Sequence, residues 1–458
     1  MTASDGRDRA GRWVRSPAQA GAALVAVACL VAAFAFGRVE LVLIAAPLLL
    51  SVLIDRARVP RGGAAVAIEA AADEGGASVD EATRVTRIPV SVRALPETGS
   101  RPDAVQLRFA TVDRAPVDAL LTPRAAARLH LEVAVGHSGP QRLLSAEARG
   151  IGTDAAWAGD QDRTEVQTPA TVVDRIVRPV PVPVRSLPLP GRLLGLTGQH
   201  LSALPGDGGE FRDVDRYRAG DRLRRIDWKA TARRAQRPGE LYVRRTTATS
   251  DAAVQLVLDA RDDLPGEVAD WAEAHPHPGP CSLDVAREAA VSLATAYAAV
   301  ADRVGFDDLA AASRALPPRA GARHRQAVLR AIETTAARGP VTERVRVPRL
   351  APGALVYVLS TFLDEQPLRL ALAWRAAGHR VIAVDVLPPL TTAELPARER
   401  LALRVVTGER AVRFERLRAA GVELLVWASA EREVQLRLLA TPRRGTAPQR
   451  RVSDGSPA

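Results

Sequence analysis

A chain of 458 residues with 47% hydrophobic and 25% charged residues has the composition of a folded protein and length for two or three domains, since one domain takes roughly 100–200 residues. Two distant cysteines, Cys29 and Cys281, and seven scattered histidines exclude a disulfide framework and a Cys-based zinc site. The net charge of +11 is concentrated at Arg7, Arg9, Arg12 and Arg15, at Arg56, Arg58 and Arg61, and at Arg443, Arg444, Arg450 and Arg451, so it speaks of topology before nucleic acid.

Residues 1–16 read as a basic cytoplasmic arm. Residues 17–55 contain two apolar runs, 17–36 and 41–54, separated by Gly37-Arg38-Val39-Glu40. The first has about the length that spans a bilayer, roughly 20 residues. The expectation is an N-terminal transmembrane helical hairpin. A secretory signal peptide competes with it, but a second apolar run follows at once. Basic flanks on both sides place both termini and the soluble domains in the cytoplasm of a multi-pass cell-membrane protein, with the lipid bilayer as a partner.

Residues 56–81, rich in Ala, Gly and acidic residues, read as a linker. From 82 to 180 the hydrophobic period becomes two: Ile88, Val90 and Val92; Val105, Leu107 and Phe109; Leu129, Leu131, Val133 and Val135. Alternation in short runs predicts a small all-β, sandwich-like domain. The prolines of 178–190, RPVPVPVRSLPLP, open a connector over 181–250; they fix an extended path, either as a stiff strap or as a proline ligand for a partner. Residues 251–440 alternate apolar runs (252–258, 355–359, 381–386, 422–427) with helical segments (284–302, 323–337, 368–377, 398–420). This is the pattern of a Rossmann-type α/β domain with a parallel sheet. Residues 441–458 read as a disordered tail.

The densest segment is 209–234, GEFRDVDRYRAGDRLRRIDWKATARR, which holds Phe211, Tyr217 and Trp228 although only 4% of the chain is aromatic. It also holds Lys229, the one lysine among 63 basic residues. A compact ammonium retained where every other basic residue is arginine points to a site that a planar fork does not serve. Nine basic and five acidic side chains interleave there, which argues against a phosphate-binding stripe. Gly220-Asp221 reads as a turn and Ile226-Asp227-Trp228 as a short extended piece on which Ile and Trp pack. Two uses stay open: an Arg/Asp network pinning the β region to the α/β domain, or an interaction surface of aromatic and Arg residues with a mixed-charge rim.

Catalysis finds little support. No G-x-x-x-x-G-K-[ST], G-x-S-x-G or H-E-x-x-H motif is present, and the chain is expected not to be an enzyme. At the end of the first α/β strand, Asp259, Asp262 and Asp263 offer carboxylates to a hard cation, but Arg261 brings its own charge there.

Residues 209–233 resemble the signature of the family called domain of unknown function 58, on Glu210, Phe211, Tyr217, Gly220, Asp221, Arg224, Ile226, Asp227, Trp228, Lys229, Ala232 and Arg233. Val214 and Asp215 depart from the family pattern, Asp215 standing where the family has arginine. The resemblance implies two N-terminal membrane helices, a β region and a C-terminal von Willebrand factor A-like domain. It also implies a protein partner, a MoxR-type AAA+ ATPase, in assembly or chaperone-like processes. The metal-binding pattern of an A domain is degenerate near Asp259, Arg261, Asp263 and Thr361, so no metal and no cofactor are expected; an unconventional divalent-cation site on Asp262, Asp263 and Asp364 is the alternative reading. The signature residues are the expected interaction site. Electrostatic binding of anionic lipid or nucleic acid through the Arg-rich ends is the alternative; a divalent-metal-dependent enzyme is a further one.

Overall fold

The computed structural model describes residues 12–14, 17–57, 66–72, 77–80, 85–96, 104–111, 114–122, 128–151, 157–159, 171–191, 193, 198, 200–272, 279–311, 315–338, 344, 346–393 and 395–441. The Arg-rich stretch before residue 12 and the tail after 441 lie outside these residues, as do Arg58, Arg61 and His275-Pro-His277. The chain divides into two compact units, one running to Val177 and the other from Arg178.

The first unit comprises β1 (Arg12–Val14), α1 (Pro17–Phe36), α2 (Glu40–Ala57), β2 (Val66–Ala72), β3 (Ser78–Val79), β4 (Thr86–Pro96), β5 (Ala104–Thr111), β6 (Arg114–Leu121), β7 (Arg128–Val135), β8 (Gly139–Ile151), β9 (Trp157–Gly159) and β10 (Thr171–Val177). The transmembrane hairpin is corrected here. Two helices form and pack on each other, but among the described residues no helix is long and apolar enough to cross a membrane. The apolar look of α1 comes largely from alanine, which contributes little burial energy per residue, and Ala26, Ala33 and Ala45 are buried. Helix α2 starts at Glu40, contains Pro47 and runs into Asp55 and Arg56. The multi-pass membrane localisation and its cytoplasmic topology fall with the spans.

Strand β2 lies inside the segment read as a linker. It pairs antiparallel with β4, Ala70 opposite Val92; alanine-rich strands carry a weak sequence signal. Two sheets, β1-β9-β8-β5-β6 with β10 on β8, and β2-β4-β3 with β7 on β4, share one core. Val90 and Val92 of β4, Leu107 of β5, Val133 of β7, Leu144 and Ala146 of β8 and Val173 of β10 meet in it. The alternation along β5 turns Val105, Leu107 and Phe109 inward and Gln106 and Arg108 outward, as a half-buried strand requires.

The second unit contains β11 (His200–Arg216), α3 (Trp228–Arg234), β12 (Tyr242–Ser250), β13 (Ala253–Leu258), α4 (Ser282–Ala299), β14 (Arg303–Asp308), β15 (Leu316–Arg319), α5 (Ala322–Glu333), β16 (Leu355–Ser360), α6 (Glu365–Ala376), β17 (Arg380–Asp385), α7 (Ala397–Ala419), β18 (Glu423–Val426) and α8 (Arg432–Ala440). The sheet order is β15-β14-β13-β16-β17-β18, parallel except for the edge strand β15. Alternate residues of β13 face opposite layers: Val254, Leu256 and Leu258 meet α4, while Val257 joins Trp374 of α6 and Leu417 of α7. This is the doubly wound arrangement, with its switch point between β13 and β16.

The proline segment is a strap on this domain. Val182 N donates to Ser292 Oγ (2.8 Å), Tyr297 Oη to Pro188 O (2.6 Å) and Arg380 Nη1 to Leu189 O (2.5 Å), while Val184, Leu187 and Leu189 pack against the core. Prolines cannot donate, so the strap satisfies its carbonyls through side chains of the domain beneath.

Candidate functional site

The signature builds a small head on the ribbon β11–β12. At its base, His200 Nε2 meets both oxygens of Asp302 (3.0 and 2.9 Å), and Asp302 Oδ1 also accepts from Ala252 N at 2.8 Å. At the far end the chain leaves β11 at Arg216 and turns at Gly220, whose φ of +105° favours a residue without a Cβ. A 3-10 turn, Leu223–Arg225, and helix α3 follow, and the chain returns as β12. Ile226 bridges to Val243, which is buried.

Helix α3 begins where it does because Asp227 caps it: Oδ1 accepts from Ala230 N at 2.8 Å, one of the donors that a helix start leaves unsatisfied. Thr231 Oγ1 accepts from Tyr242 N at 3.0 Å and fixes the inner face of the helix on β12. The extended reading of 226–228 holds for Ile226 and Asp227, whose backbones are extended, and is corrected at Trp228. Trp228 opens a helix and stands 68% exposed. Asp227→Ala is expected to cost the head about 1 kcal/mol, seen as faster amide exchange over 228–234 with the global melting temperature unmoved; a global loss would contradict a self-contained head.

The acidic residues of the head pair with its own arginines and backbone. Asp215 Oδ2 meets Arg245 Nη1 at 2.6 Å and Arg218 Nη2 at 3.6 Å; the amide of Arg216 and then Arg245 hold its carboxyl below the ordinary carboxylate range. Asp221 Oδ2 accepts from Arg218 N (2.9 Å) and meets Arg245 Nη2 (3.5 Å). Glu240 meets Arg216 Nε at 2.7 Å. Arg244 lies over the ring of Phe211, 5.0 Å from its centre, and Tyr217 N donates to Leu241 O. These pairs close within the ribbon and its turns. Arg224, Lys229 and Arg233 are left exposed, with no ion pair among the described residues. Lys229 pairs with neither Asp221 nor Asp227. The side chain of Glu210 lies outside the described residues.

A second polar cluster occupies the switch point of the sheet. Arg261 Nε and Nη2 donate to the two oxygens of Asp259 (2.8 Å each), Nη2 reaches Asp364 Oδ1 (3.0 Å) and Nη1 reaches Asp364 Oδ2 (2.8 Å). Ser360 Oγ donates to Asp259 Oδ2 at 2.8 Å. Burial alone would lower the Arg261 pKa, but hydrogen bonds and charge from Asp259, then Asp364, outweigh it and raise it above its ordinary value. The degenerate site expected from Asp259, Arg261, Asp263 and Thr361 is thus assembled differently. Asp263 accepts from Leu283 N at the start of α4 (3.1 Å), and the carbonyl of Thr361 accepts from Arg410 Nε (2.7 Å). Asp364, expected only in the unconventional cation site, supplies the second carboxylate to Arg261 instead. A divalent ion between Asp259 and Asp364 and this guanidinium exclude each other, so the residues do not fit a resident metal.

Asp262 lies beside this cluster with its carboxyl pKa raised by burial first and then by Asp259 and Asp364. A folded-state pKa above the unfolded one means that the native chain binds the extra proton in acid and loses stability as pH rises through the shifted value. Asp262→Asn is therefore expected to raise the melting temperature at pH 7, with the gain vanishing near pH 4; equal gains at both pH values would refute the cause given.

Fold and site together define a doubly wound α/β domain that carries a ribbon-mounted, Arg-rich head and has an arginine at its switch point. Residues 213–424 match the family model described as "Protein of unknown function DUF58". Uncharacterized proteins of Mycobacterium bovis and of two strains of Mycobacterium tuberculosis are each 30% identical over 210 residues, 43% of this chain and 61% of theirs. The chain thus spans about three fifths of the length of the curated relatives it matches. Among solved structures, a family two carbohydrate esterase from Cellvibrio japonicus is similar at 9% identity and a TM-score of 0.16, over 82% of this chain and 99% of that one; likeness at that level carries no argument about fold or activity.

Proposed function

We propose that this chain is a protein–protein interaction module and that the signature head is its docking surface. The observation that carries the reading is the head's self-sufficiency. Its carboxylates are used on its own arginines and backbone, while Trp228, Leu223 (65% exposed) and the cations Arg224, Lys229 and Arg233 remain outward. Aromatic and arginine side chains of this kind dominate binding energy where they become buried. A network serving only to join domains would spend these groups on the neighbouring domain. The partner supplied by the family resemblance is a MoxR-type AAA+ ATPase, and the α/β domain, read by the same resemblance as von Willebrand factor A-like, is the scaffold that presents the head.

Capture of that ATPase from solution by the full chain tests the reading. Recovery is expected to fall for Trp228→Ala and for Lys229→Arg relative to the unmodified protein, both variants keeping its melting temperature. Undiminished recovery with both variants would sink it.

A further inference from the structure

The outward face of α3 has a finer pattern than a basic patch. With Thr231 bonded to β12 on the inner side, the exposed positions of the helix are Trp228, Lys229, Ala232, Arg233 and, at its last residue, Arg234. Residues four apart are neighbours along a helix surface, about 5–6 Å between Cβ atoms. Trp228 and Ala232 therefore form one short row, and Lys229 and Arg233 form a second row beside it. The first row is an exposed indole with a methyl four residues on, an apolar strip. The second is a pair of cations, with Arg224 on the preceding 3-10 turn as a third exposed charge.

Resting on the docking role proposed above, we infer that this face receives an acidic amphipathic helix. Such a helix has an apolar row at i, i+4 that seats on Trp228 and Ala232. Its adjacent Asp/Glu row at i, i+4 meets Lys229 and Arg233. Charge complementarity carries the choice. Between residues 210 and 245 twelve basic and six acidic side chains occur, and Asp215, Asp221, Asp227 and Glu240 are bound internally, so the surplus presented outward is positive. Two cations on two turns match a pair of carboxylates. They do not make the extended track of phosphate contacts, or the series of stacking platforms, that a nucleic acid strand requires. Lys229 suits this role because a compact ammonium on a flexible stem reaches a carboxylate without the fixed approach of a guanidinium fork.

The test uses the full chain and labelled helical peptides of about five turns, each with a leucine row at i, i+4 and a neighbouring row of Glu, Gln or Lys, with a single-stranded oligonucleotide as the nucleic acid arm. Fluorescence anisotropy is expected to rank Glu above Gln above Lys, with the Glu peptide weakened by added salt. Affinity for it is expected to fall roughly tenfold or more in Lys229→Glu/Arg233→Glu and also in Trp228→Ala, both checked for an unchanged melting temperature. Equal binding of the Glu and Lys peptides, indifference to the charge reversal, or tighter binding of the oligonucleotide through the same residues would overturn the inference. If the ATPase is still captured through Trp228 while charge reversal has no effect, this inference fails and the docking reading stands.

Discussion

Arg261→Met is expected to destabilise the second unit by about 3–5 kcal/mol, the usual cost of removing one partner from a buried ion pair. The side chains of Arg261 and Asp259 are only 9% and 4% exposed. Methionine fills the space of the arginine stem but donates nothing, so Asp259 keeps Ser360 Oγ as a donor and loses its counter-charge. At the same time Asp364 loses the two contacts that tie the loop after β16 to the end of β13. Adding Asp259→Asn to Arg261→Met should recover part of the loss, because the unpaired buried charge is then gone. Arg261→Lys should fall between, since an ammonium does not bridge two carboxylates with a planar fork. Denaturant unfolding followed by tryptophan fluorescence checks the series, and a double variant no more stable than the single one would refute the assignment of the loss to Asp259.

Arg380→Met should cost about 3 kcal/mol by the same mechanism. Arg380 opens β17 and holds four acceptors: Glu423 Oε2 and Oε1 at 2.7 and 3.1 Å, Leu189 O at 2.5 Å and Leu439 O at 2.6 Å. Those acceptors lie on β18, on the strap and on α8, so one guanidinium joins three segments distant in sequence. Glu423 is the more buried partner, its side chain 8% exposed, and loses both contacts to this guanidinium. The variant should also be cut faster by proteases within the strap, residues 178–190, because Leu189 O loses its donor. Equal cleavage of the variant and the unmodified protein would show that the strap is held by its apolar contacts alone.

Elements with strong local patterns were legible in the sequence. The continuous β-branched runs at 252–258, 355–359 and 381–386 are the three central strands of the doubly wound sheet, buried on both faces as such runs demand. Strand β14, RVGFDD, was not legible, since it has few apolar residues, a glycine at its centre and two aspartates at its end. It is a strand because Val304 and Phe306 are pulled into a core that β13 and α4 supply, a tertiary effect that local propensity does not carry. Strand β15, LPPR, was hidden by prolines that only an edge strand tolerates.

The site shows the same division. Residue types in the signature were readable, but their arrangement was not. Interleaved signs along the chain suggested mutual cancellation, whereas folding sorts them: Asp215, Asp221 and Glu240 inward on Arg245 and Arg216, Lys229 and Arg233 outward. Trp228 read as packing beside Ile226 on an extended piece; the helix that starts after the cap at Asp227 leaves it exposed. Asp259, Arg261 and Asp364 could each be assigned to the strand-end region from sequence, but that one guanidinium bridges the two carboxylates follows only from the parallel pairing of β13 with β16. The apolar N-terminal runs misled by length, because alanine mimics a spanning segment in a hydropathy reading while the described helices fall short of one.

Amide hydrogen exchange on the full chain, alone and mixed with a purified MoxR-type ATPase, tests the docking role most directly. New protection is expected over residues 223–234, absent in Lys229→Glu/Arg233→Glu, with 259–263 and 361–366 unchanged. Protection at the switch-point segments with none on α3 would contradict it.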